Sequence, residues 1–393
     1  MQQGAFRHRA DHYRLARRWC ALAFVVVAAM AIAACGSSSS TGASTSAASP
    51  GSASSTSAST SACMSQARQV VQKAQQPVGI EAPTQAIDAS KLKGKLVYLV
   101  SIPSGYSERL WQGFQVAAKA AGLDPVFGSG DTPQEWNTSI QQAVARHASG
   151  IFLMAITPSL VASSLAQAKA AGIPVMSQNS IPPAPTDIAG TVVVPVANIG
   201  TVMAAYTALD NNCKVDALVG VDPTFSGTVA LASYMKAEFH RLCPTTCKLN
   251  NLDISIATMA TQAAPALQSA LQRDPSVNAV LATFDSLALV MAPGLEQSGS
   301  KAKLYGTNGD PANLALVQKG LQASDYAYVP TSYQGYVNLD LLMRAMLKVP
   351  INAPNQQVQL FTTATLPKDE SIPSMWPKLV GYQGRFMKLW GLS

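Results

Sequence analysis

From Lys95 onward the chain alternates short, unbroken apolar runs with segments whose apolar residues recur every three or four positions. Leu96-Val97-Tyr98-Leu99-Val100 is such a run, bounded by Gly94 and Pro103. Runs without polar alternation suit strands of a parallel sheet buried on both faces. Ser107 to Ala121 follows with Leu110, Phe114, Ala117 and Ala121 at helical spacing, and Gly122 then stops it. Further strands are predicted at 124–127, 150–155, 173–176 and 191–196, with helices over 136–146 and 159–171 between them. The pattern restarts at Ala217-Leu218-Val219-Gly220-Val221. A helix then sets Leu231, Met235, Phe239 and Leu242 on one face. Strands at 249–256, 278–283, 302–306 and 325–329, a helix over 333–347 and a strand at 357–361 complete the series. Segment 64–77 predicts a helix capping the body, and the Pro-rich tail after Thr362 reads as mostly irregular. Two halves of alternating β and α imply an α/β chain with two parallel sheets and right-handed crossovers.

The first 62 residues do not share this pattern. Arg7, Arg9, Arg14, Arg17 and Arg18 precede a 15-residue apolar run from Cys20 to Ala34. That is short of the ~20 residues a bilayer-spanning helix needs, and it fits a secretory signal. The run ends Ile32-Ala33-Ala34-Cys35-Gly36, which resembles the bacterial lipobox. The resemblance implies cleavage after residue 34, acylation of Cys35, and an extracytoplasmic protein held to the cell membrane by lipid. The alternative is an uncleaved membrane anchor. Residues 36–62 carry no charge and no aromatic. They cannot bury enough surface to offset chain entropy, so 35–62 is expected to be a flexible tether.

The net charge of +7 changes meaning once this region is set aside, because its five Arg and one Asp supply +4 and leave +3. No dense Lys/Arg run remains in the body, and no nucleic-acid partner is expected. Four cysteines also remain: Cys63, Cys213, Cys243 and Cys247. In an exported chain an even count suggests disulfides, and four cysteines allow three pairings. Cys243-Pro-Thr-Thr-Cys247 sits at a turn that can close on itself, which leaves Cys63 with Cys213. A metal site is not expected, because the body holds only His147 and His240, with no pair at ligand spacing.

The series from Lys95 to Asn179 resembles the sugar-binding, ribose-binding-protein-like subgroup of type I periplasmic binding proteins. Matching features include Leu110-Trp111-Gln112-Gly113-Phe114, Gly150-Ile151-Phe152-Leu153, Ala170-Ala171-Gly172-Ile173-Pro174-Val175, the stretch 280–288 and Leu304-Tyr305-Gly306-Thr307-Asn308-Gly309. The likeness spans roughly 91–361. It implies two doubly wound parallel-sheet domains with three interdomain crossings. On that pattern 63–90 is an N-terminal extension, 91–197 with 329–350 forms the first domain, and 198–328 with 351–393 forms the second. The resemblance further implies capture of a small neutral ligand, a sugar or sugar-like molecule, between the domains. Delivery to the membrane permease of an ABC-type importer would follow.

In open α/β sheets ligands bind beyond the carboxyl ends of the strands, so the loops there supply the candidates. Ser104 and Tyr106 follow the first strand, and a Tyr offers an apolar face and a hydroxyl to a sugar ring. Family members carry an Asp-Arg pair where this chain has Asn179-Ser180, and an Asp where it has Asn308. Charged hydrogen bonds are the stronger ones, so a ligand with fewer gripped hydroxyls, or one held by stacking, fits better. Trp136, Phe225 and Phe284 are stacking candidates. Asp285 and Tyr328 complete the set, although Asp285 could equally cap a helix starting at Ser286.

No cofactor motif is present. Gly128-Ser129-Gly130 lacks the third glycine of a dinucleotide fingerprint, and there is no phosphate loop and no Gly-x-Ser-x-Gly elbow. The chain is therefore read as a binding protein and not an enzyme. Three rivals stay open: a sensory binding lipoprotein, a secreted hydrolase using carboxylates among Asp131, Glu135 and Asp285, and a structural lipoprotein with a degenerate cleft.

Overall fold

The computed structural model describes residues 51–79, 84–179 and 187–392, with side chains excepted at 51–58 and 179. The signal segment 1–34, Cys35 and the tether up to residue 50 lie outside the described residues. Helix α1 (Gly51–Ala74) comes first. The flexible tether expected to run to residue 62 is thus corrected over 51–62, which is helical. The cause lies in its second half, where Cys63, Ala67, Val71 and Ala74 fall on one face and are buried. That docked face lets the helix propagate back through Ser- and Ala-rich sequence.

The first lobe is built from β1 (Leu96–Ser101), α2 (Gly105–Ala120), β2 (Asp124–Ser129), α3 (Pro133–Ala145), β3 (Gly150–Met154), α4 (Ala162–Ala170), β4 (Val175–Asn179) and β5 (Gly190–Val193). Its sheet runs β2-β1-β3-β4-β5 and is parallel throughout. The apolar run of β1 is buried on both faces, as its lack of alternation requires.

The chain then crosses to the second lobe. It comprises α5 (Val196–Asp210), β6 (Val215–Val221), α6 (Ser226–Leu242), β7 (Cys247–Asp253), α7 (Met259–Arg273), β8 (Ala279–Ala282), α8 (Asp285–Ser298), β9 (Lys303–Asn308), α9 (Pro311–Gln318) and β10 (Ser324–Tyr328). Helix α10 (Thr331–Leu347) returns to the first lobe and packs on α2, and β11 (Val358–Thr362) goes back to pair antiparallel with β10. The second sheet is ordered β11-β10-β9-β8-β6-β7. Each sheet is covered on both faces. One apolar core lies under α2 and α10, one under α3 and α4, one under α1, α5 and α6, and one under α7 and α8. Two α/β domains with parallel sheets are therefore present.

Residues 351–393, expected in the second lobe, divide. Strand β11 sits there, but the tail returns to the first lobe. In it, α11 (Ile372–Met375) and α12 (Tyr382–Leu389) form, and Tyr382, Phe386 and Trp390 pack on Tyr333 and Tyr336 of α10. The tail is tied down by a buried network in which Trp390 Nε1 and Arg344 Nε both donate to the Asp340 carboxylate, each at 2.8 Å. It is thus less irregular than expected, because its aromatic anchors find a groove beside α10.

Two disulfides brace the second lobe. Cys63–Cys213 ties α1 to the turn after α5, and Cys243–Cys247 closes the turn between α6 and β7. Among the described residues no helix is long and apolar enough to cross a membrane, and no group of His, Cys, Asp or Glu is arranged to hold a metal ion.

Candidate functional site

The carboxyl ends of both sheets face each other across a cavity of about 130 Å³. The first lobe contributes Ile102, Ser104, Tyr106, Met154, Ala155, Thr157 and Gln178, all at or just beyond the ends of β1, β3 and β4. The second contributes Phe225, Gly227, Thr228 and Leu231 after β6, Ile256 after β7, Thr283, Phe284 and Ser286 after β8, Asn308 at the end of β9 and Tyr328 at the end of β10. Val194 and Val196 line it from the first crossing. Among the described residues no lining side chain is charged.

Local chemistry sets each wall. Ser104 caps α2, its Oγ accepting from Ser107 N at 3.1 Å. Ser107, within the first turn, lies buried and accepts from Ser101 Oγ at 2.9 Å. Tyr106, on the first turn, is turned inward. Its hydroxyl accepts from Gln356 Nε2 at 2.7 Å, and burial pushes its pKa well above the ordinary phenol range. Gln356 belongs to the last crossing. Its amide oxygen accepts a hydrogen bond from Gln178 Nε2 at 3.3 Å, and Gln178 in turn accepts from Asn338 of α10 at 2.9 Å. This buried amide chain joins Tyr106 and Gln178 of the cavity to the last crossing and to α10.

On the facing side, Asp222 organises the loop after β6. Its carboxylate accepts from Thr224 N at 2.8 Å and from Ile256 N at 2.7 Å, and so holds the loops that present Phe225 and Ile256. Two non-glycine lining residues take left-handed backbone: Ala155 at φ 58° and Asn308 at φ 140°. Such conformations cost free energy and persist where surroundings over-determine them, often at binding sites.

Three contacts join the lobes across the cleft. Tyr106 and Tyr328 meet edge to face with centroids 5.4 Å apart. Phe225 packs on Trp136 at 6.1 Å. Arg109 of α2 donates to the Asp310 carboxylate, just before α9. Behind Asp310 lies an acidic cluster. Asp285 Oδ2 accepts from Asp310 N at 2.7 Å, and Asp325 accepts from Gly309 N and Gln322 Nε2. Burial raises the pKa of all three carboxyls; for Asp310 it outweighs the attraction of Arg109, and Asp325 is pushed up to about 6.

Of the expected site residues, Ser104, Tyr106, Phe225, Phe284, Asn308 and Tyr328 line the cavity. Trp136 does not. It is buried in the first-lobe core with Ile140 and Ala143 on the inner face of α3, and its indole donates to Gly130 O. Asp285 does not line the cavity either. It is the first residue of α8, is fully buried, and braces the loop before α9. Asn179 ends β4, but its side chain and all of Ser180 lie outside the described residues. Sequence reasoning missed Gln178, Thr157, Thr228, Ile256, Thr283 and Ser286. Each sits within one to seven residues of a strand's carboxyl end, so reading every such loop in full would have found them.

A family model described as a periplasmic binding protein domain matches residues 96–348, and the chain belongs to that family. No curated protein matches it. Solved structures share the fold at low identity. A solute-binding protein of an ABC transporter from Agrobacterium vitis, bound with α-D-tagatopyranose, is 17% identical with TM-score 0.64 and covers 72% of this chain and 99% of its own. A glucose-galactose binding protein from Geobacillus stearothermophilus is 18% identical with TM-score 0.63, covering 70% and 99%. A solute-binding protein from Bacillus halodurans with bound myo-inositol is 15% identical with TM-score 0.61, covering 70% and 96%.

Proposed function

We propose that this chain is an extracytoplasmic solute-binding lipoprotein. It captures one small neutral ligand, of a sugar or sugar-like class, between its lobes and hands it to the permease of an ABC-type importer. The observation that carries the reading is the uncharged cavity at the meeting of two sets of strand-end loops, the place where open α/β sheets bind ligands. The sugars and cyclitol held by proteins of the same fold support the ligand class. In this reading Cys35 carries the lipid, and no residue acts as a catalyst. Ser104, Tyr106, Phe225, Phe284, Asn308 and Tyr328 hold the ligand, joined by Asn179 and Ser180 from the rim. Hinge motion at the crossings opens and closes the cleft, and ligand favours closure only through its differential affinity for the two states.

The test is a thermal-shift screen of the purified chain against sugars, polyols, nucleosides and amino acids. Ligand binding to the folded state alone adds ~2.7 kcal/mol of stability at a hundredfold excess over Kd. A shift confined to one class and lost in Tyr106→Ala supports capture in the cleft. A shift that Tyr106→Ala leaves intact counts against it.

A further inference from the structure

Three of the crossings that join the lobes lie at 194–195, 329–330 and 348–357. Hinge motion between lobes is absorbed by backbone rotation in a few such residues. Here the three meet at one place. Gln356 N donates to Val193 O at 3.0 Å, which fastens the last crossing to the entry of the first. Val329 N donates to Gln357 O at 3.1 Å, which fastens the last crossing to the second. Gln356 and Gln357 are therefore the point at which all three are stitched together.

The Gln356 side chain is buried and does not line the cavity, but it holds two residues that do. Its Nε2 donates to Tyr106 Oη at 2.7 Å, and its Oε1 accepts from Gln178 Nε2 at 3.3 Å. Gln178 Oε1 accepts from Asn338 Nδ2 at 2.9 Å, and Asn338 Oδ1 accepts from Gln334 Nε2 at 2.8 Å. Every amide of this chain is buried, so each hydrogen bond lost leaves a desolvated group without a partner. Tyr106 also meets Tyr328, the residue directly before the second crossing, edge to face at 5.4 Å. Val194 of the first crossing lines the same cavity. A molecule resting on Tyr106 or Gln178 is thus one side chain away from the point where the crossings join.

We infer that Gln356 is a positioning residue that couples the hinge to the ligand cavity. Its amide holds Tyr106 and Gln178 in place while the three crossings are stitched together, and a ligand resting on those two side chains in turn holds the stitch. The inference rests on the capture reading above and adds to it the residue through which occupancy reaches the crossings. An amide suits the task, because it donates to one neighbour and accepts from another at once. Gln356→Met keeps the length of the side chain and can make neither bond.

The test is hydrogen exchange, followed by mass spectrometry, on the purified full chain without ligand, comparing the unaltered protein with Tyr106→Phe and Gln356→Met. Tyr106→Phe removes a single oxygen at the cavity and alters no residue of a crossing. It is expected to speed exchange about tenfold, the effect of one lost buried hydrogen bond, in peptides carrying the Val329 and Gln356 amides, with strands β1 and β3 unchanged. Gln356→Met is expected to speed the same peptides and also the Ser107 and Glu108 amides, which open α2. Crossing amides that exchange at the unaltered rate in Tyr106→Phe overturn the coupling. Equal speeding over the whole fold also overturns it, because the two residues would then serve stability alone. Should Gln356→Met not fold, Tyr106→Phe decides by itself. No ligand is used, so failure here leaves capture in the cleft standing, and a silent ligand screen removes the capture reading without altering this result.

Discussion

Arg109 on α2 and Asp310 before α9 form an ion pair that bridges the two lobes at the edge of the cleft. Arg109 is partly exposed and Asp310 is buried, so the pair joins a solvent-facing cation to an anion already held by the second lobe. It forms only when the lobes are together. Replacing Arg109 with Ala is expected to weaken ligand affinity about tenfold, equivalent to ~1.4 kcal/mol, by removing a charge-assisted bond from the closed state alone. Titration of the variant checks this, with a largely unchanged melting temperature of the ligand-free protein as the control.

Trp136 and Phe225 touch, yet their substitutions should separate cleanly. Trp136 is core, so Trp136→Ala is expected to cost ~3–5 kcal/mol of stability. Phe225 is only partly buried and lines the cavity. Phe225→Ala is expected to lower affinity with less than half that loss of stability. Denaturant melts and titrations on the same two variants provide the comparison.

The acidic cluster gives the stability a pH signature. Burial holds protons on Asp285 and Asp325 in the folded protein, with Asp325 titrating at about 6, whereas an unfolded Asp titrates near ~3.9. Their contribution is therefore complete below the unfolded value and is lost as pH rises through the folded one. Asp310 works in the same direction, while Arg109 opposes it. Unfolding free energy is expected to fall by ~1–3 kcal/mol between pH 4.5 and pH 7 from this cluster. Asp285→Asn, which cannot titrate, should flatten that slope in urea melts across the same range.

Cys63 and Cys213 are 150 residues apart in sequence, and their bond ties α1 to the body. Closing so long a loop restricts the unfolded chain by roughly 4–5 kcal/mol in the chain-entropy model. Cys243–Cys247 closes a separation of four and should contribute much less. The paired variants Cys63→Ser/Cys213→Ser and Cys243→Ser/Cys247→Ser, melted in guanidinium, should differ by several kcal/mol in that order.

Strands such as β1 and β3 were legible because they are unbroken apolar runs bounded by glycines or prolines, as at Leu96–Val100. Helix α5 was not, because Val202, Met203, Ala204 and Ala205 are buried in succession between α1, α6 and the sheet. A helix covered on all sides has no amphipathic period to read. The tail helix α12 escaped for the opposite reason. Its anchors Tyr382, Phe386 and Trp390 lie among charged residues and have meaning only beside Tyr333 and Tyr336. Within the site, strand-end aromatics could be picked out by position. The pairing of Gln178 with Gln356 joins residues 178 positions apart, and only the crossings bring them together. Trp136 misled because a loop aromatic and a core aromatic look alike until Ile140 and Ala143 are placed on the same helix face.

The central claim is that ligand enters between the lobes, and hydrogen exchange with and without ligand tests it most directly. Using the tightest ligand from the screen, slowed exchange is expected in segments 101–107, 154–157, 222–228, 283–286 and 308–309, which form the two facing walls. A large groove on the first lobe, lined by Lys95, Lys169, Asp187 and Lys348, serves as the internal control and should be unaffected. Protection confined to that groove, with both cleft walls unchanged, would contradict the account.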